Sequence, residues 1–179
     1  MDPVDQPPVV LDIEASSLAS ASYPIEVAWA LPDGAIESHL ISPAAVPHWT
    51  DWHPQAERLH GIRREQLLAE GKAPAWVCAR MNEQLAGLTV FSDAPVYDET
   101  WLQALFAACW KRPSFQLSPL SLDDWLLAQL QRTLPSPEAR QRLAERRQQA
   151  RQATSLQHRA HGDVQYLHEF WRLVMQGND

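Results

Sequence analysis

The sequence predicts an α/β domain built on a mixed sheet, with three antiparallel strands first, parallel strands after, and helices on the sheet's faces. Three observations predict it. Three β-branched or apolar runs lie within the first 41 residues, joined by connections too short for a crossover. An Asp-Gly pair separates the second run from the third, where a hairpin turn wants it. Further along, short apolar runs alternate with segments of helical period.

Residues 1–7 read as a loose arm. Pro8–Ile13 is the first strand, by its Val-Val-Leu content. Ala15–Tyr23 is small and polar, a loop. Pro24–Leu31 is the second strand, Pro32-Asp33-Gly34 the turn, and Ala35–Ile41 the third strand. Breakers make Ser42–Thr50 a loop. Pro54–Leu59 is a short helix stopped at His60-Gly61, and Arg64–Glu70 another, closed by Gly71. Ala75–Leu85 is a longer helix with Trp76, Val77, Met81 and Leu85 on roughly one face. Leu88–Phe91 is the fourth strand and Phe115–Leu117 a short fifth. Between them Asp98–Trp110 is amphipathic through Trp101, Leu102, Leu105 and Phe106. Leu122–Leu130 and Glu138–Gln152 are helices. Val164–Met175 is the last, with Val164, Leu167, Phe170, Trp171 and Val174 at helical spacing.

A chain of 179 residues with 45% hydrophobic content can bury a core and is short for two domains. No apolar run reaches the length of a membrane span. The acidic, Pro-rich start has no apolar stretch of a secretory signal. Cys78 and Cys109 are far apart in sequence and match neither a disulfide framework nor a Cys-based zinc site, so a reducing cytoplasm is expected. A net charge of −7 argues against coating nucleic acid by bulk charge. The charge is uneven: residues 1–137 carry 8 basic and 17 acidic side chains, residues 138–179 carry 7 and 5. A basic tail on an acidic body fits an enzyme that touches phosphates at one place, and equally a solvated Arg-rich helix at 138–152.

Asp12 and Glu14 stand at i and i+2 of the first strand, so both point to one face. Two adjacent carboxylates ending an apolar strand repel each other unless a cation or a shared proton compensates. Oxygen donors suit hard divalent metals. The bland alternative is that both carboxylates reach water. Asp98 opens a helix after the fourth strand and by itself reads as an N-cap; Asp93 competes with it. Asp163 lies just before the last helix and by itself is also a cap. His158 precedes it by five residues, and His161 and His168 read as bystanders.

In order along the chain, these residues resemble the DnaQ-like 3′–5′ exonucleases of the ribonuclease H-like superfamily, in the subgroup with a catalytic histidine. Asp12-Ile13-Glu14 matches the family's D-x-E, and Pro24–Trp29 its second strand. Ser17 stands where the family commonly has Gly. Leu59-His60-Gly61-Ile62 resembles a recurrent H-G-I segment. In Val90–Leu102 an aromatic-Asp pair, Tyr97-Asp98, precedes Trp101-Leu102 as in the second motif, which selects Asp98 over Asp93. His158-Arg159-Ala160-His161-Gly162-Asp163 matches H-x-x-x-x-D. Ser92-Asp93 and the long helical stretch before the last motif depart from the pattern.

The resemblance implies a ribonuclease H-like mixed five-stranded sheet in a single exonuclease domain, 8–179. It implies two Mg²⁺ or Mn²⁺ ions held by Asp12, Glu14, Asp98 and Asp163, with Asp12 shared between them and His158 as general base. Single-stranded DNA or RNA 3′ ends are the implied partners. Ala15, Leu18, His60 and Ile62 would border the terminal nucleotide, Tyr97 would stack on a base, and Arg159 would contact phosphate. Trp49 and Trp52 are alternative stacking residues, or simply core. Two other classes use the same residues: an inactive nucleic-acid-binding domain of this fold, and a metal-dependent nucleotide phosphohydrolase. A protein partner or a homo-oligomer is compatible with the sequence.

Overall fold

The computed structural model describes residues 6–154 and 158–176. Most of the expected arm, residues 1–5, lies outside the described residues. One sheet organises the chain, in the order β3-β2-β1-β4-β5. Strands β1 (Val9–Ala15), β2 (Pro24–Ala30) and β3 (Ile36–Leu40) pair antiparallel. Strands β4 (Thr89–Phe91) and β5 (Gln116–Leu117) extend the other side in parallel. This is the expected fold class, three antiparallel strands and then parallel ones.

The hairpin forms as the Asp-Gly pair requires. Gly34 takes φ +85°, and the Asp33 carboxylate accepts from the Ala35 amide at 3.0 Å. Residues i and i+2 of a strand share a face, so β1 feeds two cores. Val9, Leu11 and Ile13 pack with Ile25, Val27 and Trp29 beneath helices α3 (Pro74–Leu85) and α4 (Pro95–Ala108). Val10 joins Ala28 and Ala30 beneath α5 (Leu122–Leu130), α6 (Ser136–Ala153) and α7 (Ala160–Met175). All seven residues of β2 are buried, as a strand covered on both faces should be. Two short helices, α1 (Pro54–His60) and α2 (Arg64–Glu70), come between β3 and α3 in the chain. Gly61 ends α1 at φ +69°, the left-handed stop expected of it.

Several boundaries differ from expectation for identifiable reasons. Helix α4 starts at Pro95 rather than Asp98, because proline suits the first helical position, where its missing N–H costs nothing. Helices α3 and α6 start early in the same way, with Pro74 and Pro137 in their first turns. Helix α7 starts at Ala160, four residues ahead of Val164, so Asp163 is in its first turn and not ahead of it. The two cysteines, distant in sequence, are spatial neighbours: both are free thiols, with Sγ atoms 3.5 Å apart. Among the described residues no helix is long and apolar enough to cross a membrane.

Candidate functional site

The site forms where β1 ends under the start of α7. Asp12 and Glu14 project from the face that α7 covers, the face Val10 shares. Across the antiparallel register, Asp12 faces Ala28 and Glu14 faces Glu26. Ala28 is small and lets the helix approach the sheet. The β1–β2 register shifts between Glu14 and Ala15, which turns the chain out of the sheet right after the second carboxylate. The first turn of α7 then delivers Asp163. One carboxylate oxygen from each of Asp12, Glu14 and Asp163 lies within 4.8 Å of the others. Asp98 stands outside that group. It is 1% exposed on the first turn of α4, and its Oδ2 is buried without a partner, as is the neighbouring Ser92 hydroxyl.

The electrostatics are those of negative charge without a counterion. Burial pushes the Asp12 carboxyl well above its ordinary range, and the charges of Asp98, Glu14 and Asp163 add to it. Glu14 is pushed up to about 8 by burial, Asp163 and Glu26, against the pull of Arg159. Asp98 rises to about 7, chiefly through burial, with the Asp93 charge adding to it. Asp163 rises to about 6 through burial and Asp93, while His158 opposes. Four acids all raised, three with converging oxygens and a fourth with an orphaned one, form a donor set that fits hard dications, whose charge would reverse each shift.

His158 lies ahead of α7, exposed, with φ +48°. A left-handed non-glycine residue costs about 1–3 kcal/mol and persists where its surroundings impose it. A positive charge on its imidazole opposes the upward shift of the Asp163 carboxyl. His161 is exposed within the first turn. Asp93, the competing acid, is exposed.

A cavity of about 690 Å³ opens beside Glu14. Of the residues expected to border a nucleotide, Ala15, Leu18 and His60 line it. Leu18 is 77% exposed at its mouth. Ile62 does not line it: the side chain is fully buried, in the same core as Trp49 and Leu67. Tyr97 is outside the lining but half exposed, stacked on Trp101, which does line it. Arg159 lies outside the cavity lining, and its guanidinium holds Glu26 through Nε at 3.0 Å and Nη2 at 2.6 Å. Trp49 is core, stacked on Tyr23 with ring centroids 5.2 Å apart. Trp52 packs edge-on against His60 and donates to Glu57 at 2.5 Å. In α6, Arg147 pairs with Asp123 at 2.5 Å and lies over the Phe170 ring, so part of the basic excess serves packing.

Two residues with a part here escaped the sequence reading. Asp51 lines the cavity and accepts from the hydroxyls of Ser16 at 2.9 Å and Ser17 at 2.6 Å, pinning the loop that carries Leu18. Ser17 thereby has a use that glycine would not supply. Nothing in the local sequence marks Asp51. Glu26 was legible in principle, as one acid inside the apolar run Pro24–Ala30.

No protein-family model and no curated protein sequence matches the chain. Solved structures do. E. coli exonuclease I in its zinc-bound complex with single-stranded DNA aligns at TM-score 0.68 and 20% identity, over 97% of this chain and 41% of that one. The complex of the same enzyme with a dA16 oligonucleotide aligns at 0.66 and 19%, over 94% and 41%. The metal-free complex aligns at 0.54 and 17%, over 68% and 29%. The chain thus spans about two fifths of the length of exonuclease I. Likeness at this level of identity is a likeness of architecture, and it shows that the chain has the ribonuclease H-like α/β fold found in exonuclease I.

Proposed function

We propose that the chain is a metal-dependent 3′–5′ exonuclease of the DnaQ-like, histidine-containing type. It would hydrolyse phosphodiester bonds at the 3′ end of single-stranded DNA or RNA and release nucleoside 5′-monophosphates. One observation carries this: three carboxylate oxygens from two elements about 150 residues apart in sequence converge within 4.8 Å beside a nucleotide-sized cavity. The likeness to exonuclease I in complex with single-stranded DNA supports it.

Asp12, Glu14, Asp98 and Asp163 would hold two Mg²⁺ or Mn²⁺ ions, which supply charge neutralisation and a more acidic water. The chain's own residues do the rest. An imidazole nitrogen of His158 accepts the proton of the attacking water. The cavity seats the terminal nucleotide between Leu18 at its mouth and His60 in its wall. His60 Nδ1 accepts from the Ile62 amide at 3.0 Å, so in the neutral ring Nε2 carries the proton, buried without a partner. Burial lowers the His60 pKa, which favours the neutral ring in the cavity wall. Tyr97, backed by Trp101, offers a face for the next base. The place that goes with this activity is a reducing cytoplasm, where Cys78 and Cys109 stay thiols.

The test is product identity. Single-stranded DNA and RNA, and free nucleoside triphosphates in parallel, are incubated with Mg²⁺ or Mn²⁺ and the products separated. Nucleoside 5′-monophosphates from the strands support the proposal. Hydrolysis of free nucleotides with intact strands would make the protein a nucleotide phosphohydrolase instead.

A further inference from the structure

Helix α7 has no cap of its own: Arg159 stands at its N-cap position and its side chain caps nothing. The first amides of a helix need acceptors. Here one is supplied from 134 residues away. Glu26, on β2, is 2% exposed and accepts from the Ala160 amide through Oε2 at 3.0 Å. The same carboxylate takes the Arg159 fork, Nε on Oε2 at 3.0 Å and Nη2 on Oε1 at 2.6 Å. Ser38 Oγ adds a longer bond to Oε1 at 3.4 Å. Glu26 also stands opposite Glu14 in the β1–β2 register. It therefore ties the segment carrying His158 and Asp163 to the strand pair that carries Asp12 and Glu14.

We propose that Glu26 is a positioning residue: by clamping Arg159 and the Ala160 amide it sets the first turn of α7 so that Asp163 meets Asp12 and Glu14 and His158 borders them. This rests on the metal-dependent nuclease proposed above, for the same site. Arg159 serves the clamp, and its positive charge also acts on Glu14. Both Glu26 oxygens already face donors, so an amide in place of the carboxylate must turn its NH₂ toward one of them.

Glu26→Gln and Arg159→Met are compared with wild type at a temperature where all are folded. Three quantities are read: Mn²⁺ affinity by calorimetry, hydrogen exchange of the first turn of α7 without metal, and kcat and KM on a single strand. The clamp predicts faster exchange at Ala160–Asp163 in both variants, Mn²⁺ affinity about tenfold weaker or more, and a fall in kcat with little change in KM. Arg159→Met separates position from charge. Removing a cation beside Glu14 would, by charge alone, tighten Mn²⁺ or leave it unchanged; the clamp requires it to weaken. Wild-type Mn²⁺ affinity and exchange in both variants, or tighter Mn²⁺ in Arg159→Met, overturns the proposal, including where the melting temperature falls. If wild type cleaves no strand and binds no Mn²⁺, the nuclease assignment fails separately. The exchange measurement then decides the clamp alone: acceleration supports it and wild-type protection overturns it.

Discussion

Glu14→Gln isolates the cost of gathering carboxylates without a counterion. The Glu14 carboxyl is raised from 4.5 to about 8, first by burial and then by Asp163 and Glu26. A raised acid holds its proton in the folded state at pH values where the unfolded chain has released it. Stability therefore falls as pH rises from about 4.5 through about 8, and the loss is complete above that. Each tenfold in proton affinity is worth about 1.4 kcal/mol, so the folded protein loses up to about 5 kcal/mol from this one group by pH 9. For a chain of this size that is a Tm loss of about 10–20 °C. Gln has the same shape and nothing to ionise. In chelated buffer, wild type and Glu14→Gln should melt together near pH 5 and diverge toward pH 9, with the variant higher by about 10 °C or more. Saturating Mn²⁺ at pH 8 should raise wild type by several degrees through preferential binding to the folded form, and the variant by less. Parallel Tm curves from pH 5 to pH 9, without divergence, would refute the reasoning.

Other outcomes follow from the same geometry. Asp12→Asn should melt above wild type in chelated buffer at pH 8 and lose its response to Mn²⁺; an unchanged Mn²⁺ shift would place the cation elsewhere. Asp98→Ala should abolish turnover while Asp93→Ala keeps much of it, as their burial suggests; steady-state rates showing the reverse would move the fourth acid. His158→Ala should keep its metal-induced Tm shift and lose about 10²–10⁴ in kcat/KM. His161→Ala should remain near wild type, and equal behaviour of the two histidine variants would remove His158 as the base.

What the sequence makes legible here is local. The hairpin is readable because Asp33-Gly34 specifies its own turn. The Asp12–Glu14 pair is readable because the period of a strand puts both carboxylates on one face. The starts of α4 and α7 were misplaced for two different reasons. The Asp98 start passes over Pro95, which is the favoured first residue of a helix. The start of α7 is hidden because the acceptor for its first amide belongs to Glu26, and no window around Arg159 contains it. The pairing of Arg159 with Glu26 is likewise invisible locally, because 133 residues separate them. Ile62 sits one residue past a left-handed glycine, and its inward direction is set by packing that the motif does not encode. Asp51 matters only because two serines from the loop after β1 fold onto it.

The central claim is that this carboxylate cluster removes nucleotides from a 3′ end. A single strand labelled at its 5′ end, incubated with protein and Mg²⁺ or Mn²⁺ and resolved by length over time, tests it most directly. The account predicts a descending ladder that keeps the label, stops when EDTA is added, resumes when metal is restored, and is absent with Asp12→Asn. Loss of the label as mononucleotide at the first time points, or a ladder that persists after exhaustive chelation, would contradict it.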